Sequence, residues 1–495
     1  MVQHTSMHDG VWVGIDLGTQ SVCTVAVPGA GEVVGQGSHP LTSHRHGSHH
    51  EQSPHECWQA VIAACRQVLA RLPASSIRGL AVDGTSGTIL LIDPQGQPLA
   101  PGLMYDDGRA SSEVQQVNAL GQETWRTLGY RMQASWALPK LLWLLHQHPE
   151  FTTGTRLLHQ TDFINRCLVG GEVPSDSSSA LKTGYDLIND CWPARTFDAL
   201  NVPERIMPRV VRSGVQIGTV CAAAAQATGL PTGIPVIAGM TDGCAAQIGA
   251  GALSVGSWNS VLGTTLVLKG VTRDLLHDPS GVVYSHRSPE DTWLPGGASS
   301  TGVGAITKFF PQRNLAELDE RAQQREPASV VTYPLVAHGE RFPFTAPDAE
   351  GFTLGEPVDE VDRYASLLQG VAFIERLCFD YLDLLDAPTS GNLYLTGGGA
   401  RSRYWCQLRA DILQRPVFLP ANAEPASGMA ILAAALHRPV SEVAAQIVQV
   451  REVIEPRAER VECFHAPYTR LITELKHRGW IHSDVATHAR KRATG

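Results

Sequence analysis

Residues 11–27 read VWVGIDLGTQSVCTVAV: two apolar, β-branched runs around a short polar insert, Leu17-Gly18-Thr19-Gln20-Ser21. Runs of this composition predict strands, and the glycine in the insert predicts a tight turn between them. The first run ends at Asp16, and the turn behind it offers backbone N–H groups and hydroxyls that can converge on phosphate oxygens. Read alone, Asp16 is either a carboxylate set to hold a phosphate-bound magnesium ion or a strand-end aspartate closing a hairpin.

Working outward, residues 54–71 place Cys57, Val61, Ala64, Cys65 and Val68 at helical spacing, and residues 77–82 return to strand character. Residues 89–93 run as a strand into the turn PQGQPL, and 138–146 form an apolar helix that begins beside a proline. The alternation predicts an α/β protein with mixed layers. At 258–268, WNSVLGTTLVL again sets Gly-Thr-Thr between β-rich runs, an echo of the opening that suggests internal duplication. Farther on come a strand at 392–396, the turn GGGARS, a helix at 403–413 and an alanine-rich helix at 426–436. The last sixty residues carry helical patterns but no chemical motif. Residues 39–55 hold six histidines without a metal-ligand spacing and are expected as a solvated loop.

A length of 495 residues suits two large domains, with 43% apolar residues to fill their cores. Lys+Arg 39 against Asp+Glu 48 gives −9 with no basic run, which excludes an electrostatic nucleic-acid or membrane-surface footprint. Ten cysteines without a CxxC pair fit neither a disulfide scaffold nor a structural zinc site, so the cytoplasm is the expected compartment. The N-terminus lacks a cationic stretch followed by an apolar one, so no signal peptide is expected. Residues 213–241 and 243–268 are free of charge, yet proline, glycine and polar side chains break them, which predicts burial rather than membrane insertion.

Four further segments bear on chemistry. Gly263-Thr264-Thr265 repeats the first turn without its carboxylate, and Gly397-Gly398-Gly399 would let a nucleotide approach the backbone closely or simply turn a strand into a helix. Asp242 of GMTDG follows an apolar strand and precedes a small-residue helix. It is a candidate N-cap and, equally, a candidate base for a hydroxyl attacking a phosphoryl group; the two roles are compatible. Tyr105-Asp106-Asp107-Gly108-Arg109 presents two acceptors and a guanidinium fork, suited to a polyol or to a surface ion-pair cluster.

Taken in order, these segments resemble the FGGY family of carbohydrate kinases from about residue 11 to about 438. GIDLGTQS resembles the first phosphate motif, and YDDGR the Trp-x-Asp-x-Arg substrate motif with Tyr105 in place of tryptophan. LPKLLWL, GMTDGCAAQIGAG, VLGTTLVL, WLPGGASSTG, GERFPF and LTGGGARSRYWCQLRADIL follow in the family's order. The resemblance implies two ribonuclease-H-like domains of the actin/hexokinase ATPase type flanking a catalytic cleft. The expected segments are 11–252 for the N-terminal domain, 253–440 for the C-terminal domain and 441–495 for a helical extension.

It further implies Asp242 as catalytic base and Asp16 as the magnesium-side carboxylate near the substrate. Thr19, Gln20 and Ser21, together with Gly263, Thr264 and Thr265, would meet the ATP phosphates. Gly398 and Ser402 would line the adenosine pocket, while Ser86, Asp107 and Arg109 would meet the sugar. The implied reaction is in-line transfer of the ATP γ-phosphoryl, with Mg²⁺, to a terminal sugar hydroxyl. DGTSGTILLID with MYDDGR is closer to D-ribulose kinases than to glycerol kinases, so D-ribulose is expected over D-xylulose. The expected partners are the sugar and ATP, with no nucleic acid and no membrane; a homodimer is an admissible assembly. The rival from another class is a non-catalytic nucleotide or sugar sensor on the same fold, against which the retention of Asp16, Asp242 and the acceptor motif argues.

Overall fold

The computed structural model describes residues 10–494 apart from 30 and 153. The described chain divides into two compact units. One holds the residues up to Gly251 with His286–Thr292 and Asn422–Gln449; the other holds Ala252–Ser285, Trp293–Ala421 and the residues from Val450 onward. The expected segments follow order along the chain, whereas 422–449 packs with the first unit.

In the first unit the elements that matter are β1 (Val11–Leu17), β2 (Ser21–Pro28), β3 (Gly35–Pro40), β4 (His44–His46), β5 (His49–Gln52) and α1 (Pro54–Leu69). They continue with β6 (Ile77–Gly84), β7 (Ile89–Ile92), β8 (Gly102–Leu103), β9 (Arg156–His159), β10 (Gln216–Thr219), β11 (Pro235–Ile237), α2 (Asp242–Ala250) and α3 (Pro425–Ala434). The main sheet runs β10-β11-β6-β1-β2-β3; β1 pairs antiparallel with β2 and parallel with β6. A smaller sheet runs β4-β5-β8-β7-β9.

The strands of the main sheet bury Val13, Ile15, Leu80, Val82 and Val236. Helix α3 lies along β1 and β6 and packs on α2. That approach depends on glycine: a Cβ on Gly14 would sit 1.7 Å from the Ala426 carbonyl oxygen, and one on Gly428 would sit 1.9 Å from that of Ala245. The alanine-rich sequence of α3 is therefore what lets a late segment fold back onto the first unit.

The second unit is built on β12 (Trp258–Leu262), β13 (Leu266–Gly270), the start of β14 (Tyr284–Arg287, whose last two residues group with the first unit), β15 (Trp293–Ser299), β16 (Leu393–Thr396), β17 (Val417–Pro420) and β18 (Val450–Ile454). Their order is β14-β15-β13-β12-β16-β17-β18. As in the first unit, the opening hairpin is antiparallel and its first strand pairs parallel with the next central strand. The 25-residue helix Glu360–Leu384, buried over most of its length, forms much of the core. The echo between the two opening turns is thus an echo of sheet topology.

Two sequence expectations change. Residues 39–55 are not a solvated loop: they complete β3 and form the β4–β5 hairpin, whose β5 pairs with β8. The cause is His50, 1% exposed, whose backbone N–H donates to Asp107 at 2.8 Å and whose ring Nδ1 is hydrogen-bonded to Asp106. The final segment, read as helical throughout, also contains β18, which pairs with β17. The charge-free stretches are divided among β10, the helix Ala222–Thr228, β11, α2, β12 and the start of β13, and among the described residues no helix is long and apolar enough to cross a membrane.

Candidate active site

In the first unit three parallel strands deliver carboxylates to one edge. Asp16 near the end of β1 stands in register with Asp83 near the end of β6, and Gly84 bridges to Thr241, which precedes Asp242. Asp83 is fully buried, and neither of its carboxyl oxygens has a hydrogen-bond donor. Burial, then the charges of Asp16 and Asp242, push its pKa well above the usual carboxylate range. Asp16 is raised to about 7, first by burial; hydrogen bonding with Asp83 lowers it, and the charges of Asp242 and Glu424 raise it. A proton held on Asp83 and directed at Asp16 satisfies both descriptions, because two adjacent buried carboxylates cannot both ionise cheaply. Asp83 was quoted within its motif but not recognised as a site residue; an acidic residue ending a strand parallel to β1 was the available signal.

Asp242 opens α2. The sequence made it an N-cap candidate, but Thr241 holds the cap position and Asp242 is the first helical residue, its Oδ1 accepting the Gly243 N–H at 2.7 Å. The Thr241 hydroxyl makes no cap bond; it lies 3.2 Å from the Ser178 hydroxyl instead. The turn between β1 and β2 is tied down: Gln52 Nε2 and the Ser43 hydroxyl donate to the Thr19 carbonyl at 2.7 and 3.2 Å. Gln20 is exposed and Ser21 half-buried at the start of β2.

The acceptor motif is an internal ion network rather than a surface cluster. Asp107 is 0% exposed, and its carboxylate accepts from Arg109 Nε at 3.0 Å, from Arg109 Nη2 at 2.8 Å and from the His50 N–H. Burial raises its pKa, but those bonds outweigh burial and hold it below the usual range. Both oxygens are occupied, so Asp107 orients Arg109 rather than presenting an open acceptor. Arg109 also pairs with Glu51 at 2.7 Å and lies over the Trp143 ring, 5.0 Å from its centroid. Asp106 is bound by Arg45 and His50. The Tyr105 phenol is raised mainly by burial and by the charge of Asp106, with a smaller rise from Asp242; the Thr19 side chain acts the other way. Lys140 of LPKLLWL, fully buried, donates to the Met104 carbonyl at 2.8 Å, and burial brings its pKa down to about 7. Ser86 follows β6; its hydroxyl is buried without a partner, and Lys182 donates to its carbonyl at 3.1 Å.

In the second unit the turn 263–265 joins β12 to β13. Val303 and Gly304 donate to the Gly263 and Thr264 carbonyls at 2.9 and 3.1 Å. A Cβ on Gly302 would lie 2.5 Å from the Thr264 carbonyl oxygen, so GGASSTG closes on the turn only because glycine stands there. Buried Glu340 of GERFPF accepts from the Ser300 N–H at 2.6 Å and from the Ser299 hydroxyl at 3.0 Å, holding the approach to that loop. After β16, Gly397 has φ +80, and a Cβ on Gly398 would meet no atom within 4 Å. Ser402 caps the helix Arg403–Leu413: its hydroxyl accepts from the Trp405 N–H at 2.9 Å and donates to Asp319 at 2.7 Å, so it is already engaged.

Two sheets of like strand order, one edged by carboxylates and the other by a Gly-Thr-Thr turn, define a two-domain phosphotransferase of the actin/hexokinase ATPase type. The chain belongs to the FGGY family of carbohydrate kinases: the family's N-terminal domain matches residues 11–249 and its C-terminal domain residues 258–437. Xylulose kinase of Escherichia coli K12 is 30% identical over 441 residues, covering 86% of this chain and 89% of that protein. The crystal structure of xylulose kinase from Rhodospirillum rubrum superposes with a TM-score of 0.83 at 26% identity, covering 94% of this chain and 98% of that one. A structure described as a "xyloylose kinase" from Brucella ovis gives 0.88 at 24% identity, covering 95% and 99%. The chain is therefore a phosphotransferase acting on a sugar hydroxyl, in a family that uses ATP.

Proposed function

We propose that this protein transfers the γ-phosphoryl group of Mg-ATP to a terminal hydroxyl of a ketopentose. The observation that carries this reading is the carboxylate edge of the first unit, where Asp16 stands in register with Asp83 and Thr241, just before Asp242, bridges to Gly84. Asp242 accepts the proton of the sugar hydroxyl as its oxygen attacks phosphorus. The Gly243 N–H holds one Asp242 oxygen, which fixes the direction of the other. Arg109, oriented by Asp107 and Glu51, binds the sugar with Ser86 nearby.

Asp16 and Asp83 are hard oxygen donors without a compensating cation, a donor set that fits Mg²⁺, which favours one or two carboxylates plus phosphate oxygens. Bound there, the ion would neutralise phosphate charge. Thr19, Gln20 and Ser21 are assigned to the phosphates, as are Gly263, Thr264 and Thr265. Gly398 is assigned to adenosine through its open face, and Ser402 through its backbone.

The names of the relatives support D-xylulose as acceptor better than the D-ribulose expected from sequence. D-ribulose is the second reading, because Tyr105 departs from the tryptophan of the family's substrate motif. ADP formation with D-xylulose, D-ribulose, L-ribulose, L-xylulose and glycerol, scored as kcat/KM, decides between them. A preference for D-xylulose supports the leading reading and a preference for D-ribulose the second. Slow hydrolysis unaffected by any sugar would return the sensor reading. The reaction is placed in the cytoplasm, where ATP is supplied.

A further inference from the structure

The catalytic base assigned above is preceded by a buried polar chain that no motif foretold. Thr241, 2% exposed, has a side chain suited to capping α2 yet does not cap it. Its backbone N–H donates to Ser178 Oγ at 3.2 Å, and its hydroxyl is hydrogen-bonded to the same oxygen at 3.2 Å. Ser178, 0% exposed, is in turn bonded to Nδ1 of His286 at 2.9 Å, and His286 is 1% exposed.

Three distant stretches of chain therefore meet behind Asp242. Ser178 lies on the short helix Ser177–Ala180, which Asp176 caps by accepting the Ser179 N–H at 2.7 Å. His286 comes from the segment His286–Thr292, which packs with the first unit. That segment is anchored there twice more: Glu290 accepts from the Ser441 N–H and hydroxyl at 3.0 and 2.9 Å, and Asp291 pairs with Arg212.

We propose that His286 and Ser178 are positioning residues for Asp242. His286 sets the Ser178 rotamer, Ser178 fixes the Thr241 backbone at φ −74, ψ 153, and that backbone aims the carboxylate of the next residue at the acceptor hydroxyl. Serine has one proton and two lone pairs, so with Thr241 N–H and both neighbouring groups bonded to Oγ its hydrogen-bonding capacity is used. Moving the serine must move Thr241, because a buried backbone N–H without an acceptor is costly. A misplacement of about 1 Å at a reacting group is enough to cost roughly a hundredfold in rate. Neither residue touches substrate in this role. The inference rests on the assignment of Asp242 as base.

The test uses the full-length protein and the variants His286→Ala, His286→Asn and Ser178→Ala, each first checked for a cooperative thermal transition. With the best acceptor, His286→Ala and Ser178→Ala are expected to lower kcat ten- to hundredfold while KM for sugar and for ATP stays within about twofold. His286→Asn, which can return a polar atom near the Nδ1 position, is expected to recover at least a third of the lost kcat. Independently of turnover, hydrogen exchange in the peptide containing Thr241 is expected to quicken in both alanine variants. Unchanged kcat and unchanged exchange would overturn the proposal, as would a loss divided equally among kcat, both KM values and stability with no rescue by asparagine. A wild-type protein inactive on every sugar would refute the kinase assignment instead. Unaltered exchange at Thr241 would still refute the positioning chain in that case.

Discussion

The two units share a strand order but differ at the matching place where the first strand meets its parallel neighbour. In the first, β1 sets Asp16 beside Asp83 of β6; at the matching place in the second, β12 sets Val261 beside Thr396 of β16. Farther back along β12, Ser260 meets Arg409, which is locked to Glu375 by two bonds of 2.7 Å with both side chains at 0% exposure. At the matching place the second unit holds an apolar and a hydroxyl side chain and, one residue back, a paired charge, whereas the first leaves two carboxylates facing one another. Uncompensated burial of this kind destabilises a fold and persists where chemistry needs it. The difference supports the proposal that the reacting carboxylates belong to the first unit.

Removing the base is expected to have the largest effect. Asp242→Asn should lower kcat by about 10³-fold and leave ATP affinity within a few-fold; an equal loss of ATP binding would break the division of roles between units. In the second unit, Arg409→Ala strands the Glu375 carboxylate, with an expected loss of about 3–5 kcal/mol in unfolding free energy. A chemical-denaturation midpoint unchanged by that substitution would contradict the view that this pair is structural. Smaller again, Arg109→Leu should raise the sugar KM roughly tenfold with little change in ATP KM. A kcat-only effect would move Arg109 out of sugar binding.

Much of this contrast was legible in the sequence. Alternating β-rich runs and helical spacing gave both hairpins, and the Gly-Thr pairs marked the turns inside them. What escaped were contacts between segments distant in sequence. Asp83 becomes significant only through its register with Asp16, and His50 only because Asp106 and Asp107 reach it from the turn after β8. The Thr241 cap was missed by one residue because the hydroxyl that would mark it is drawn to Ser178. The return of α3 to β1 was likewise hidden, since nothing local in an alanine-rich helix says which strand its small face will meet.

The most direct measurement is thermal unfolding across pH of the wild type and Asp16→Asn, made alongside turnover. With Asp16 raised to about 7, the folded state keeps a proton that the unfolded chain releases near the ordinary aspartate value of 3.8. Its stabilising contribution is present at low pH and is lost as pH rises through about 7. Asp16→Asn removes that loss and should be more stable than wild type at pH 8 by on the order of 1–2 kcal/mol, with Tm higher by a few degrees and turnover abolished. A variant equal to or less stable than wild type at pH 8, with sugar phosphorylation retained, would contradict the claim that the first unit holds an uncompensated carboxylate centre for phosphoryl transfer.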